Sequence, residues 1–178
     1  MKKIVAFAAS SSSTSINKQL VEFVLTYFPD YEVDLLDLND YEMPLFSVDR
    51  ARDTGFPELA YEFSNKMKNA DIVICSFAEH NGSYTVAFKN ILDWCSRIDV
   101  NVFGNKPMFL MSTSPGGFGG GNVMKVSSTF LPKHGAEIQQ TFSLPSFNQN
   151  FLQGEIISGE FKVEIEGKIK KFRDFLVS

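Results

Sequence analysis

Short apolar runs alternate along this chain with stretches in which apolar residues recur every three or four positions. Ile4-Val5-Ala6-Phe7-Ala8-Ala9 and Ile72-Val73-Ile74-Cys75-Ser76-Phe77 are nearly continuous apolar runs, the pattern of strands buried on both faces of a parallel sheet. Residues 31–36 alternate in a strand-like way. Lys106-Pro107-Met108-Phe109-Leu110-Met111 is a fourth candidate strand, with proline at its tolerated first positions. A fifth strand is expected over residues 136–142. Between these runs, Ile16, Leu20, Phe23, Val24, Tyr27 and Phe28 keep helical spacing until Pro29-Asp30 stops them. Phe56, Leu59, Ala60, Phe63 and Met67 predict a second helix with Pro57 in its first turn. Ala87, Ile91, Trp94, Cys95 and Ile98 predict a third, residues 122–131 a fourth, and Ile165, Ile169, Phe172 and Leu176 a last helix over 160–177.

The order βαβαβαβαβα predicts an α/β protein with a parallel, doubly wound sheet, either in the flavodoxin-like order 2-1-3-4-5 or as half of a dinucleotide-binding fold. No linker divides the chain, so residues 1–178 are expected to form a single domain. Residues 37–55 and 143–154 show no period and are expected to be irregular. The first is longer than an ordinary connection. With Tyr41, Met43, Leu45 and Phe46, it is a candidate partner-facing surface or pocket lid.

Composition narrows the function classes. With 44% hydrophobic and 21% charged residues, the chain has the make-up of a soluble globular protein. A net charge of −4 argues against binding duplex DNA. His80 and His134 are the only histidines and there is no cysteine cluster, so no metal site is expected. Cys75 and Cys95 are expected as buried free thiols. The first apolar run is too short for a secretory leader, and none approaches the roughly 20 residues of a membrane span. A cytoplasmic location is the expectation.

Right-handed crossovers bring every β-to-α loop to the carboxyl edge of such a sheet, and three of these loops stand out. The first, Ser10-Ser11-Ser12-Ser13-Thr14-Ser15-Ile16-Asn17, offers hydroxyl donors and the backbone N–H groups of a helix N-terminus, which suit a phosphate. Ordinary helix capping accounts for one of its hydroxyls. It lacks the G-x-x-x-x-G-K-[ST] and G-x-G-x-x-G patterns, so a monophosphate is expected rather than a triphosphate or dinucleotide. The second loop passes through Asn81-Gly82. The third, residues 112–121, is rich in glycine and admits a flat ring close to the backbone. Together they predict a ligand with a phosphate at one end and a planar polar heterocycle at the other.

These stretches resemble the NADPH-dependent FMN reductase family. The family's phosphate motif, G-S-x-R-x-x-S-x-N, corresponds to Ala9-Ser10-Ser11-Ser12-Ser13-Thr14-Ser15-Ile16-Asn17. Its second motif, P-x-Y-N-x-S-x-P-x-x-L-K-N-x-I-D-W, corresponds to residues 78–94, ending Lys89-Asn90-Ile91-Leu92-Asp93-Trp94. S-x-S-P-G-x-x-G-G corresponds to residues 112–120. The resemblance implies a flavodoxin-like three-layer sandwich with a five-stranded parallel sheet in the order 2-1-3-4-5. It also implies FMN as cofactor, NADPH or NADH as hydride donor, and a small-molecule acceptor: a quinone, azo compound, metal oxyanion or free flavin. Ser10, Ser12, Ser15, Ile16 and Asn17 would lie at the FMN phosphate. Glu79, His80, Asn81 and Gly82 would lie along the ribityl and isoalloxazine, and Ser114, Gly116 and Gly117 near the pyrimidine end. A homodimer or tetramer is also implied.

No catalytic side chain is required, because the cofactor carries the chemistry. His80 is the one candidate proton donor; its plainer role is to line the pocket wall. Asp93 and Trp94 are expected to serve helix packing and a dimer interface, and Lys89 and Asn90 to be structural. The chain departs from the family pattern at Ser12 in place of Arg, Ala9 in place of Gly, His80 in place of Tyr, and Ala78 and Thr85 in place of prolines. A flavodoxin-type electron carrier and a phosphate-ligand sensor are the competing readings. The carrier's T-x-T-x-x-T loop is absent.

Overall fold

The computed structural model describes residues 1–177. Strands β1 (Lys3–Ala9), β2 (Glu32–Leu36), β3 (Ile72–Phe77), β4 (Lys106–Thr113) and β5 (Ala136–Leu144) form a parallel sheet in the order β2-β1-β3-β4-β5. This is the flavodoxin-like order. Helices α1 (Ile16–Leu25) and α7 (Gly159–Val177) cover one face; α3 (Glu58–Lys68), α4 (Val86–Ile98) and α5 (Gly121–Phe130) cover the other.

Each central strand divides its side chains between two cores. Val5, Phe7, Val73, Cys75 and Phe77 point to the α3/α4 side, whereas Ile4, Ala6, Ile72 and Ile74 point to the α1/α7 side. That two-sided burial is why the strands read as unbroken apolar runs. On β5 the parity changes. Ile138 pairs with Met108 but Gln140 pairs with Phe109, which leaves Gln139 as the extra residue of a bulge. Ala136 therefore joins the α3/α4 core while Phe142 and Leu144 join the other. One inserted residue moves all later side chains to the opposite face.

Both irregular stretches carry more structure than their sequences predict. Residues 37–55 contain a 3-10 turn, Leu38–Tyr41, and a helix, α2 (Val48–Thr54). α2 buries none of its residues, so it has no apolar stripe to reveal it. Its signals are at its ends, where Ser47 caps the N-terminus and Gly55 follows with φ 76°. In residues 143–154, β5 runs on to Leu144, a short helix α6 (Phe147–Asn150) follows, and β6 (Phe151–Leu152) pairs with β7 (Glu155–Ile156). α1 ends at Leu25 rather than Phe28. Thr26, Tyr27 and Phe28 instead donate to carbonyls three residues back, a tightened last turn. Pro57 precedes α3 as its cap residue.

Cys75 is buried in β3, and Cys95 on α4 donates to the Ala60 carbonyl at 3.5 Å. Burial pushes both thiols up, Cys95 to about 11. Because the thiolate is the nucleophile, the folded protein is expected to leave both thiols unreacted with an aromatic disulfide at pH 8. The unfolded chain should titrate two under the same conditions. Rapid labelling of the native protein would contradict the burial. Among the described residues, no helix is long and apolar enough to cross a membrane.

Candidate functional site

The loop after β1 is organised by its own hydroxyls. The N–H of Ser12 donates to Ser10 Oγ (3.2 Å), that of Thr14 to Ser12 Oγ (3.3 Å), and that of Lys18 to Ser15 Oγ (3.2 Å), with Ser15 capping α1. In each case the hydroxyl oxygen accepts, which leaves its proton to be donated outward. The Ser12 and Thr14 hydroxyls are 3.5 Å apart, at the long limit of a hydrogen bond. The N–H groups of Ile16 and Asn17, in the first turn of α1, have no protein acceptor among the described residues, as expected at a helix N-terminus. Nearby, Lys18 Nζ lies 3.5 Å from Asp37. The Asn39 backbone N–H, working against partial burial and aided by the Asn39 amide and Lys18, holds the Asp37 carboxyl below the usual carboxylate range.

Asn17 is the hub of the three loops. Its side chain is 2% exposed. Its Nδ2 donates to the Thr113 carbonyl (3.2 Å), and its Oδ1 accepts from the Thr113 N–H (3.1 Å) and the Ser76 hydroxyl (2.7 Å). The expectation that this residue faces a phosphate therefore changes in kind. The amide is engaged within the protein, and what Asn17 can present outward is its backbone N–H.

The loop after β3 makes a tight reversal. His80 and Ser83 exchange two backbone hydrogen bonds (3.0 and 3.1 Å) across Asn81 (φ 51°) and Gly82 (φ 78°). This is the type I′ turn that Asn-Gly favours. His80 is exposed, and its imidazole has no hydrogen-bond partner among the described residues. Glu79 reaches across to the third loop, where its carboxylate accepts from Asn122 Nδ2 (3.0 Å) and the Val123 N–H (2.9 Å). Thr85, at a position where the family has proline, caps α4 by accepting from the Phe88 N–H (3.3 Å) and donates to the Ala9 carbonyl (3.1 Å). It thereby ties this loop to the first.

The third loop is anchored at both ends. Thr113 Oγ1 donates to the Leu144 carbonyl (2.7 Å), and the Ser146 and Phe147 N–H groups donate to the carbonyls of Gly116 (2.9 Å) and Ser114 (3.0 Å). Its glycines divide into two kinds. Gly120 has φ +78°, and a Cβ there would lie 2.9 Å from Ser112 Cβ, so the fold itself demands glycine. Gly117 has no positive φ and nothing within 4 Å of a Cβ position. The protein does not need glycine at that point, which leaves room for another molecule against the backbone.

The three loops border an open cavity of about 290 Å3. From the first loop it is lined by Ser10, Ser12, Ser15, Ile16 and Asn17, from the second by Glu79 and His80, and from the third by Ser114. Thr14, Ala78, Thr113 and Pro115 also line it. These four are neighbours of the expected residues that the motif comparison left out. Asn81, Gly82, Gly116 and Gly117 are not among its lining residues: Asn81 and Gly82 form the tip of the turn, and Gly116 and Gly117 are exposed beyond Pro115. A larger cavity, about 520 Å3, opens on the other side of the serine loop, between residues 38–45 and the first turn of α4. Its wall is held by α4. Asn90 Nδ2 donates to the carbonyls of Met43 (3.1 Å) and Pro44 (3.2 Å), its Oδ1 accepts from the Phe46 N–H (2.8 Å), and Trp94 Nε1 donates to Pro44 (2.8 Å). Lys89 and Asp93 pair with each other on the exposed face.

The profile of one family, NADPH-dependent FMN reductase, matches residues 2–149. The chain belongs to that family. Its members are oxidoreductases that pair FMN with NAD(P)H. The chain is 30% identical over 144 residues to an NADPH:quinone oxidoreductase of Arabidopsis thaliana, covering 75% of this chain and 71% of that one. It is 35% identical over 119 residues to a 2-hydroxy-1,4-benzoquinone reductase of Burkholderia sp. That match spans 66% of this chain and 63% of the Burkholderia enzyme's length. In structure it is similar to a flavoenzyme NAD(P)H:(acceptor) oxidoreductase from Paracoccus denitrificans, with a TM-score of 0.77 at 22% identity over 98% of this chain and 96% of the other. At that identity the likeness speaks for the fold.

The site of this reductase-family chain fits FMN. The serine loop presents hydroxyl protons and unpaired N–H groups, a neutral donor set suited to a phosphate at a helix N-terminus. The open backbone at Gly117 admits a planar ring.

Proposed function

We propose that this protein is an NAD(P)H-dependent, FMN-containing oxidoreductase whose acceptors are small quinones. The observation that carries the reading is the donor set of the serine loop, turned into the same cavity as residues 78–80 and 113–115. The quinone class is favoured by the printed activities of the curated relatives. FMN held there would supply two-electron redox chemistry between the nicotinamide and the acceptor.

The chain's own residues do the holding. Ser10, Ser12 and Ser15 would donate hydroxyl protons to the phosphate, and Ile16 and Asn17 would add backbone N–H groups at the positive end of α1. Ala78, Glu79 and His80 form the middle wall. Ser114, Gly116 and Gly117 shape the far end, where small residues let the backbone approach a ring. Ser12 brings no charge where the family has arginine, so nucleotide and phosphate contacts here rest on neutral donors. His80, exposed and unpartnered, is a wall residue able to give a proton to the acceptor. A cytoplasmic homodimer completes the proposal, with Leu45 and Val86, each more than 60% exposed, as apolar residues at the mouth of the larger cavity.

Anaerobic mixing with NADPH and NADH tests the reading. The FMN-loaded protein should bleach near 450 nm, and a quinone should restore the colour over many turnovers. A loaded protein that neither nucleotide bleaches would be a carrier or sensor instead.

A further inference from the structure

Among the described residues that line the cleft between the three loops, Glu79 carries the one carboxylate, and both of its oxygens are committed to α5. Oε2 accepts from the Val123 N–H at 2.9 Å and Oε1 from the Asn122 amide at 3.0 Å. Val123 is the third residue of α5, where orphan N–H groups of a helix normally find a capping side chain. α5 has no local cap. Its cap residue is Gly120, which has no side chain to offer. The cap comes instead from a residue 44 positions earlier, in a different loop.

We propose that Glu79 is a positioning residue that sets the redox poise of the site, a reading that rests on the FMN assignment above. Its carboxylate lies at the N-terminus of α5, the positive end of the helix dipole, and largely cancels it. The same carboxylate lines the cavity beside Ala78 and His80. An uncancelled helix N-terminus there would favour the more negative, reduced form of the cofactor. With Glu79 in place, the reduced form gains less, and the bound cofactor is a stronger reductant. Glu79 also locks the second loop to the third, so one side chain fixes both the width of the wall and its charge.

Two substitutions of opposite sign test this. Glu79→Gln keeps an oxygen for the Val123 N–H but removes the charge. Lys125→Glu reverses a charge on the exposed side of α5 and touches neither Glu79 nor a buried group. The midpoint potential of protein-bound FMN is measured by dye equilibration for the wild type and both variants. Glu79→Gln should favour the reduced over the oxidised form by about tenfold, an upward shift of about 30 mV for two electrons. Lys125→Glu should shift the potential downward. Amide exchange at Val123 in the flavin-free proteins gives a second readout, with faster exchange expected when Glu79 is replaced by alanine. Potentials that stay at the wild-type value while FMN remains bound would overturn the role of Glu79 and leave the FMN assignment standing. A wild-type protein that takes up no FMN would overturn both.

Discussion

Trp94→Ala should lower the unfolding free energy by about 3–5 kcal/mol, the cost of deleting a fully buried tryptophan and leaving a cavity. Trp94 has no exposed surface. Its ring meets Phe46 edge-on at 5.0 Å and Phe56 at 6.0 Å, and its indole N–H donates to the Pro44 carbonyl at 2.8 Å. The loss therefore falls on the α3/α4 core and also on residues 43–46, which wall the larger cavity. Against the 5–15 kcal/mol typical of a domain, this is a large fraction. A denaturant titration should show a lower midpoint at an unchanged slope. Trp94→Phe should lose less, because the Pro44 carbonyl keeps the bond from Asn90 Nδ2 at 3.2 Å. A loss below about 1 kcal/mol for the alanine variant would contradict this packing.

Asn17→Leu is the second large effect. Leucine keeps the branched outline of asparagine but is bulkier, and it strands the Thr113 N–H, the Thr113 carbonyl and the Ser76 hydroxyl in a site that is 2% exposed at residue 17. A buried group left without its partner costs about 1–3 kcal/mol, so a loss of roughly 2–4 kcal/mol is expected, with partial relaxation of the three groups. FMN affinity should fall with it, because the same amide ties the first loop to β3 and β4. Asn17→Asp should act by the same route, since a carboxylate cannot donate to the Thr113 carbonyl. Thermal unfolding of the flavin-free proteins separates the two effects. If Asn17→Leu melts with the wild type, the amide is not the hub that its contacts describe.

The strands were legible because burial on both faces leaves an unbroken apolar run, as at Ile72-Val73-Ile74-Cys75. The bulge on β5 was not, since Gln139 looks like any partly polar strand residue until its register against β4 is known. Helices with a buried stripe announced themselves. α2 did not, because periodicity records burial and α2 buries nothing. In the site, Asn81-Gly82 encoded its own turn, and the serine loop displayed its donors in the sequence. The roles of Asn17 and Glu79 were hidden for a common reason. Each is fixed by contacts far along the chain, 96 residues away for Asn17 and Thr113 and 44 for Glu79 and Val123. A motif indicates that such a residue matters, but only the fold shows whether its side chain faces the ligand or the protein. The Lys-Asn-x-x-Asp-Trp ending is similar. Asn90 and Trp94 grip residues 43–46, a segment whose own sequence has no period.

If the three loops at the carboxyl edge of the sheet form an FMN site, titration of the flavin-free protein with FMN will show it through quenching of flavin fluorescence, compared between the wild type and Gly117→Val. Gly117 has nothing within 4 Å of a Cβ position and no positive φ, so the variant should melt with the wild type. The wild type should saturate at one FMN per chain, and Gly117→Val should bind at least about tenfold more weakly, a difference of about 1.4 kcal/mol. A wild type that leaves the fluorescence unquenched, or a variant that binds FMN as tightly as the wild type, would contradict the placement of the flavin among these loops.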